Sequence, residues 1–449
     1  MKIKLPTYVN NAISLLVDAG FEAFAVGGCV RDSLLGTVPK DWDITTSALP
    51  NEVREVFLDF KVIETGIKYG TVTVLIEKQP VEITTYRIDG EYYDSRHPSA
   101  VTFTRSLKED LARRDFTINA LAYSDETGVI DEFDGIGDLE RKLIRSVGNP
   151  DKRFQEDALR IFRALRFSAT LDFCIESETE KSIKRNAELL NNVAAERITV
   201  ELLKFICGVG ERVTKILIEY RDIFGIIIPE LKPSFDFEQN NKHHIYDVYD
   251  HTAYSVGLSE PDVEVRLALL LHDIGKPSTY FTDDNGVGHF YGHAKDSAVL
   301  AAKALKRLRL SNEMYDNVLA LVKYHDYPIT EEKKIIRRRL NKFGPDLLRK
   351  LMKVKRGDSL AHNPKYARPL EELHAVEKAV EEILNDESEC FTLKDLDITG
   401  TDLMEAGFKS GPKLGRILKN LLREVMDGEL KNEKTELLRR AKEYETRRN

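Results

Sequence analysis

The sequence predicts an α/β head followed by a chain that is almost entirely helical. Short runs in which apolar and β-branched residues alternate lie at 24–26, 61–63, 70–76 and 81–86, and this period of two is typical of strands. From about residue 150 onward, apolar residues recur three and four positions apart, which is the spacing of amphipathic helices. With 449 residues, the chain is long enough for several domains with cores of their own.

Two breaks subdivide the helical part. The segment 229–242 is rich in Pro and Asn, and a second break lies at 385–395; such segments are typical of linkers. We therefore predict a head at 1–147, a helical neck at 148–230, a third domain at 231–390 and a helical tail at 391–449.

Composition excludes a membrane-spanning protein and favours a cytoplasmic one. We find no apolar run of the length that a membrane span needs, and the N-terminus has the pattern of an amphipathic helix (Val9, Ile13, Leu16, Val17) rather than a signal peptide. The four cysteines are scattered without a CxxC pair, as in proteins of reducing compartments. The net charge of −8 argues mildly against nucleic-acid binding, but basic clusters at 303–309, 333–339 and the C-terminus provide local positive charge.

The most informative stretch is 24–46, FAVGGCVRDSLLGTVPKDWDITT. Its glycines, Gly27 and Gly28, would let a phosphate approach the backbone at the start of a helix. If 40–45 is a strand, Asp41 and Asp43 point to the same face, roughly 7 Å apart at Cα. Paired carboxylates of this kind suit divalent metals, and together these features outline a metal-dependent nucleotidyl-transfer site.

A second pair of charged residues predicts base selection without a template. Asp157 and Arg160 are three positions apart, so on one helix they would share a face. A carboxylate accepts from the exocyclic amine of cytosine or adenine, and a guanidinium donates to the adjacent ring nitrogen. Uracil and guanine present the reverse order and would leave both side chains unpaired. Taken alone, the pair is equally an ordinary surface ion pair.

These stretches resemble the motifs of one family. The order G-G-x-V-R-D-x-L-L-G, then D-x-D, resembles the head motif of class II tRNA nucleotidyltransferases and bacterial poly(A) polymerases, in the polymerase-β-like superfamily. Residues 113–120 (RRDFTINA) and the E-D-x-x-R-x-x-R pattern at 156–163 resemble the next two motifs. Asp115 also stands where an N-cap would, before an apolar helix.

The resemblance implies a role for each motif residue. Asp41 and Asp43 would hold Mg²⁺, with Glu82 as the third carboxylate; the alternative for Glu82 is a solvent-facing residue of an edge strand. Asp115 would contact the ribose 2′-OH and Arg114 the phosphates, while Glu156 and Arg163 would orient the base-selecting pair. The implied nucleotide-binding set is Gly27, Gly28, Arg31, Arg114, Asp115, Asn119, Asp157, Arg160 and Arg163. Residues 87–103 resemble the family's flexible loop, which helps the change from adding C to adding A; Arg87, Asp94, Arg96 and Pro98 match its pattern.

Histidines cluster after the first linker. The run LLLHDIGKP around His272 and Asp273 resembles the signature of HD phosphohydrolases, in which His and Asp side chains hold a divalent metal that activates water. The resemblance implies His251, His272, Asp273 and Asp358 as ligands, with His293 and His325 available to a second ion. The alternative is a helical spacer with a vestigial or structural site.

The resemblance therefore implies an enzyme that adds CCA to the 3′ end of tRNA from CTP and ATP, releasing pyrophosphate, with a possible phosphohydrolase in the third domain. A poly(A) polymerase or an A-adding enzyme shares the head motifs and stays open, as does an HD phosphohydrolase with an inactive head. The tail, with ITGTDLMEAG at 398–407 and GPKLG at 411–415, resembles a tRNA-binding region; a helical lid on the third domain is the alternative.

Overall fold

The computed structural model describes residues 2–90, 101–365 and 369–446. The chain divides into two compact units, Met1–Pro229 and Glu230–Asn449, and the division falls at the start of the first predicted linker. None of the helices in these described ranges combines the length and the apolar character that crossing a membrane requires.

The first unit contains a mixed sheet and helices around it. Its strands are β1 (Ala23–Val26), β2 (Asp43–Thr46), β3 (Lys61–Ile63), β4 (Thr71–Ile76), β5 (Gln79–Thr85), β6 (Arg87–Asp89), β7 (Val101–Phe103), β8 (Leu121–Ser124), β9 (Gly128–Asp131), β10 (Leu143–Ile144) and β11 (Cys174–Ile175). Its helices are α1 (Thr7–Asp18), α2 (Gly28–Leu34), α3 (Pro50–Val56), α4 (Leu107–Ala112), α5 (Gly135–Glu140), α6 (Pro150–Glu156), α7 (Leu159–Leu171), α8 (Ser177–Asn186), α9 (Ala195–Ile206), α10 (Gly210–Glu219) and α11 (Arg221–Ile227).

Seven of these strands form one sheet in the order β3-β4-β5-β2-β1-β8-β9. Neighbouring strands are antiparallel except β2 and β5, which run parallel. The alternation along β4 is that of a half-buried strand, since Val72, Val74 and Ile76 are buried while the residues between them are partly exposed. The mixed α/β head is thus confirmed, and the four predicted strands are present as β1, β3, β4 and β5.

The second unit is largely helical, as predicted. Its helices are α12 (Val248–Leu258), α13 (Val263–Leu271), α14 (Lys276–Thr279), α15 (His293–Arg307), α16 (Asn312–Tyr324), α17 (Lys333–Leu360), α18 (Leu370–Asn385), α19 (Gly400–Glu405), α20 (Pro412–Met426) and α21 (Lys434–Thr446), and a short hairpin is formed by β12 (Phe281–Thr282) and β13 (Gly288–His289).

The C-terminal helices α19, α20 and α21 pack around a hydrophobic core of their own. Its buried members all lie between Cys390 and Ala441 and include Leu403, Phe408 and Leu421. This clustering agrees with the second predicted break, because α18 ends at Asn385 and the next helix begins at Gly400.

Candidate functional site

The predicted metal carboxylates meet at the parallel strand pair. Asp43 is the first residue of β2, and its partner across the ladder is Glu82 of β5, so the two side chains lie on neighbouring strands about 4.8 Å apart. The prediction of a strand over 40–45 is wrong at its start, because β2 begins at Asp43 and Asp41 lies in the preceding irregular segment. Asp41 therefore approaches the site from a loop rather than from the same strand face.

The charges at this site disfavour a metal-free carboxylate. The Asp43 side chain is in contact with solvent, yet its pKa is raised to about 6. The main cause is desolvation by the surrounding protein, followed by the negative charge of Glu82. Asp41 adds a smaller increase, and the positive charge of Arg114 opposes the shift. A hard divalent cation takes oxygen ligands and would relieve this repulsion, although the ligand groups that already converge on one point among the described residues all lie in the second unit.

The glycine turn brings a guanidinium next to these carboxylates. Gly27 has φ +84°, and a Cβ built on it would lie 3.0 Å from the Nη1 atom of Arg114. Gly28 begins α2, and a Cβ there would lie 3.7 Å from the Nη2 atom of Arg31. The turn thus lies against two arginines, of which Arg114 is close enough to Asp43 to lower its pKa; guanidinium groups are suited to binding phosphate.

Sequence reasoning missed the residue that orients Arg114. Asp110 is fully buried, and its carboxylate lies 3.4 Å from Arg114 Nη2 while accepting from Arg113 Nε at 2.9 Å and Thr45 Oγ1 at 3.0 Å. Although burial opposes ionisation, the guanidinium groups of Arg113 and Arg114 keep the pKa of Asp110 below its ordinary value. The available signal was an acidic residue four positions before Arg114 within α4.

Asp115 is the centre of a buried polar network. Its Oδ1 accepts from the Phe116 backbone N–H at 2.8 Å and from Asn119 Nδ2 at 3.0 Å, and its Oδ2 lies 2.8 Å from Nε and 2.7 Å from Nη2 of Arg163. Asn119 Oδ1 in turn accepts from Arg31 at 2.6 Å. The expected N-cap role is wrong, because a single 3₁₀ turn at 117–119 follows Asp115 and leads directly into β8.

The four acceptor positions of the Asp115 carboxylate are therefore all used. Burial disfavours its charge, but the adjacent Arg163 outweighs this and holds the pKa of Asp115 far below its ordinary value. A ribose hydroxyl could bind this carboxylate by displacing one of the existing donors, so Asp115 is a positioning residue in the structure as it stands.

Asp157 and Arg160 do not form the predicted pair on one helix. Asp157 has extended backbone between α6 and α7 (φ −142°), and its two oxygens accept from Arg197 at 3.2 and 2.8 Å. Arg160 Nη1 donates to Glu156 Oε2 at 2.9 Å, and this contact supports the predicted orienting role of Glu156. The Arg163 side chain is instead turned to Asp115, and its Nη1 lies 3.4 Å from Glu201 Oε1, so these hydrogen bonds do not support the orienting role predicted for Arg163.

In the second unit, five helices bring the predicted His and Asp side chains together. His251 lies on α12, His272 and Asp273 follow α13, and Asp358 lies near the end of α17. Asp358 Oδ1 is 3.0 Å from His251 Nε2 and 3.5 Å from His272 Nε2, while Asp273 Oδ2 is 3.1 Å from His272 Nε2. The ligand atoms of His251, His272 and Asp358 lie close enough together to hold one ion, whereas Asp273 groups with His293 and His325.

Asp273 joins this group to a second one. Its other oxygen, Oδ1, lies 3.4 Å from Nε2 of His293 and 3.8 Å from Nε2 of His325. His272, His293 and His325 each have Nδ1 within 2.6 to 2.9 Å of a backbone carbonyl. Nδ1 must donate there, which leaves the Nε2 lone pairs directed into the cluster, as in metal-ligating histidines.

The electrostatics of the cluster also fit a cation. Burial lowers the pKa of His272, but Asp273 and Asp358 outweigh it and raise that pKa to about 10. Asp273 Oδ2 lies 3.1 Å from His272 Nε2 and 2.7 Å from Lys276 Nζ, so two cationic groups balance this buried carboxylate. The metal-free cluster thus holds a proton where a cation would balance the carboxylates.

Two neighbouring histidines were not predicted as ligands. His244 and His362 have their Nε2 atoms 3.2 Å apart, and together with His251 they form a third group of ligand atoms. Lys276 Nζ is 3.2 Å from His244 and 2.7 Å from Asp273. His244 could have been suspected from its position in the pair His243-His244, whereas His362 has no motif around it.

Two further predictions concern the loop at 87–103 and the basic cluster at 333–339. Asp94, Arg96 and Pro98 of the predicted loop fall outside the described residues. Arg337 and Arg338 of one basic cluster form ion pairs with Glu389 and Asp427 at 3.0 Å and 2.6 Å, so part of that cluster serves the packing of the tail.

Comparison with known proteins gives a consistent result along the chain. Family profiles match residues 23–145 (poly A polymerase head domain), 172–235 (RNA and SrmB-binding site of polymerase A) and 290–441 (tRNA nucleotidyltransferase domain 2). The fold is similar to that of the Bacillus stearothermophilus CCA-adding enzyme in complex with CTP, with a TM-score of 0.71, 28% identity and 98% of each chain covered. A Thermotoga maritima CCA-adding enzyme complexed with tRNA shares the fold at a TM-score of 0.62 and 20% identity, over 99% of this chain and 100% of that one.

Curated relatives extend this similarity over the whole length. The CCA-adding enzyme of Limosilactobacillus reuteri is 35% identical over 455 residues, covering 99% of each chain. That of Pediococcus pentosaceus is 35% identical over 431 residues, covering 94% of this chain and 93% of the relative. With its carboxylates, glycine turn and arginines arranged as described, the chain belongs to the family of CCA-adding enzymes.

Proposed function

We propose that this protein is a nucleotidyltransferase that adds CCA to the 3′ end of tRNA, taking the nucleotides from CTP and ATP and releasing pyrophosphate. The observation that carries the proposal is the full-length identity of 35% to a CCA-adding enzyme in a chain whose head holds Asp43 opposite Glu82 and Arg114 against Gly27. A cytoplasmic location is part of the proposal, since tRNA is the substrate.

The head residues have separate tasks in this reaction. Asp41, Asp43 and Glu82 would hold Mg²⁺, whose charge, when bound, acidifies the attacking 3′ hydroxyl and stabilises the leaving pyrophosphate. Arg114 and Arg31 bind the triphosphate, and the Gly27 turn leaves room for it. Asp110 and the Asp115–Asn119 contact hold these arginines in place, so they need little reorganisation when the nucleotide binds.

Extension of tRNA lacking its CCA tests this function. Purified protein with CTP, ATP and Mg²⁺ is expected to add three nucleotides and then stop, as seen on a sequencing gel. A long ladder with ATP alone would instead identify a poly(A) polymerase, and addition of A alone to tRNA ending in CC would identify an A-adding enzyme. No extension at all would contradict a nucleotidyltransferase and leave the second unit as the active part.

Base selection is proposed to depend on Asp157 and Arg160 in the neck, 148–230. Arg197 holds Asp157 through two hydrogen bonds, and Glu156 contacts Arg160, so the two base-reading groups are held by separate partners. In this arrangement Asp157 accepts from the exocyclic amine of C or A, and Arg160 donates to the ring nitrogen.

Asp157→Ala is therefore expected to relax selection. UTP incorporation, relative to CTP, should rise by about tenfold or more, because the alanine leaves no acceptor to reject the uracil carbonyl. The measurement is single-nucleotide extension of tRNA with CTP or UTP. Glu178→Ala, which removes a carboxylate of α8 with 65% side-chain exposure, is the control. Unchanged rejection of UTP would refute the pairing.

We further propose that the third predicted domain, 231–390, is an HD domain, and that its His and Asp cluster is a metal site with phosphohydrolase activity. The supporting observation is the Asp273 carboxylate between two sets of imidazole Nε2 atoms. Such a donor set suits transition metals better than Mg²⁺. The tail, 391–449, is proposed to bind tRNA.

Metal content tests the cluster independently of any reaction. Equilibrium dialysis against Mn²⁺ or Co²⁺ followed by elemental analysis is expected to give at least one tightly held ion per chain, and His272→Ala should remove it, because it deletes a ligand. His374→Ala, which replaces an exposed histidine of α18 with 74% side-chain exposure, should leave it unchanged. Equal metal content in all three proteins would mean that the cluster is not the site.

A further inference from the structure

Three aromatic rings cluster at the short hairpin β12–β13 and the turn that follows it, beside the histidine-lined cleft. Phe281 and His289 are cross-strand partners, and Tyr291 lies in the turn after β13. The ring centroids of Phe281 and Tyr291 are 5.6 Å apart, so the three rings lie together. His289 and Tyr291 line a cleft of about 770 Å³ whose lining also includes Asp273, His293 and Asp358.

The three rings form a stacked cluster. His289 and Tyr291 have ring centroids 5.5 Å apart with planes at 15°, and His289 and Phe281 are 5.3 Å apart at 26°. The outer rings are nevertheless open to solvent, with 75% exposure for Tyr291 and 45% for Phe281, while His289 between them is 28% exposed. Exposed large apolar groups that are clustered rather than scattered often mark a binding site.

The hairpin is held in one conformation by its own turn. One oxygen of Asp283 accepts from the backbone N–H groups of Asn285 and Val287, and the other lies 3.0 Å from His289 Nε2. His289 is thereby oriented for stacking and withdrawn from the metal-binding groups. Gly288 lies so close to the backbone carbonyl of Gln239 that a Cβ would approach it to 2.3 Å, which ties the hairpin to the neighbouring segment.

Positive charge lies in the same cleft. Lys242, Lys276 and Lys355 line it together with the metal-binding groups. Lys276 is buried beside Asp273, at 2.7 Å. Its ammonium group is also held by Gln239 Oε1 at 2.8 Å and lies 3.2 Å from His244 Nε2, so Lys276 contributes its charge to the cleft from a fixed position. The lining of the cleft thus combines aromatic faces with positive charge.

We propose that His289 and Tyr291, packed against Phe281, form a base-stacking subsite, so that the cleft takes a nucleoside phosphate, free or at the end of single-stranded RNA, with its base on these rings and its phosphate towards the metal cluster. Stacking of this kind accepts any base, because every base has a π face. Hydrolysis of the phosphate rests on the proposed function of the metal cluster, whereas binding of the base to the rings needs no metal.

A tryptophan placed in the subsite reports binding directly. The protein has one tryptophan, Trp42, in the first unit, so Tyr291→Trp adds a local signal at an exposed position while keeping an aromatic face. AMP is expected to quench this emission saturably, with a Kd at least about tenfold lower than that of ribose 5-phosphate, which lacks a base. The unsubstituted protein, reporting through Trp42 alone, is the control for binding in the head.

A second variant and a second probe complete the test. His289→Ala in the Tyr291→Trp background should raise the Kd for AMP by several-fold and leave that for ribose 5-phosphate unchanged. A tetraadenylate with a 3′ phosphate that binds more tightly than AMP would identify the RNA end as the ligand, and equal binding would identify the free nucleotide; both support the subsite. Equal affinity for AMP and ribose 5-phosphate, or no quenching by AMP, would overturn it.

The measurements are made in Mg²⁺, in Mn²⁺ and in EDTA, with phosphate release followed in parallel. Base-dependent quenching without phosphate release in either metal would keep the subsite and refute the phosphohydrolase. Release of phosphate from AMP and ribose 5-phosphate at equal kcat/KM, together with base-independent quenching, would keep the phosphohydrolase and refute the subsite.

Discussion

Asp43→Asn is expected to reduce nucleotide addition by at least about a thousandfold. The amide keeps the size of the side chain but removes the charge that would hold Mg²⁺ opposite Glu82. Losing about 4 kcal/mol of transition-state stabilisation from a bound metal corresponds to this factor. The measurement is the initial rate of CTP incorporation into tRNA that lacks its CCA, at saturating Mg²⁺.

The same substitution is expected to stabilise the metal-free protein at pH 8. The pKa of Asp43 is raised from 3.8 to about 6, so between about pH 4 and pH 6 the folded state binds more protons than the unfolded state. Stability then falls as pH rises through this window and stays lower above it. Asn removes that cost, so Tm in EDTA should rise at pH 8 and change little at pH 4.

Loss of activity with an unchanged or higher Tm would separate catalysis from folding. Asp59→Asn, an exposed carboxylate of the same unit, is the matched control and should leave both quantities as they are. Activity of Asp43→Asn within tenfold of the parent protein would rule out Asp43 as a metal ligand.

Asp115→Ala is expected to have the largest effect on stability. It removes a buried carboxylate that accepts from Arg163, Asn119 and the Phe116 backbone, and it leaves Arg163 with the more distant Glu201 at 3.4 Å. Breaking a buried ion pair by removing one partner costs about 3–5 kcal/mol. Urea unfolding of the full chain, followed by circular dichroism, should show an early shift of the transition of the first unit.

The effect should reach the active site as well. Without Asp115, Asn119 loses its partner and can no longer hold Arg31 in position, so nucleotide addition should fall together with stability. Glu140→Ala, which removes an exposed carboxylate of α5 in the same unit, should change neither. If Asp115→Asn instead raised the use of dCTP over CTP without loss of stability, a direct contact with the ribose would explain Asp115 better than the network.

The sequence predicts well those features that depend on local pattern. Strands β4 and β5 follow from alternation, because one face of each is buried and the other is not. The side chains predicted around His272 do lie together, since Asp358, far away in sequence, is 3.0 Å from His251 and 3.5 Å from His272; their role as metal ligands stays a prediction.

Features that depend on a break in regular structure could not be predicted. Asp157 lies between two helices, and periodicity alone continues the helix through it. Its partner Arg197 is 40 residues away, a pairing that tertiary packing decides. His244 and His362 approach each other from segments 118 residues apart; the adjacent His243 gives a weak signal for His244, but no motif surrounds His362.

The turn at Gly27 has a consequence for how the chain can change over time. A side chain there meets two separate obstacles, a left-handed backbone with φ +84° and the guanidinium of Arg114 at 3.0 Å. A second substitution that made room by shortening Arg114 would leave the backbone obstacle in place, and would also remove a phosphate-binding group. No single compensating substitution removes both the backbone strain and the steric contact with Arg114. A residue other than glycine at position 27 therefore requires a different conformation of the whole turn.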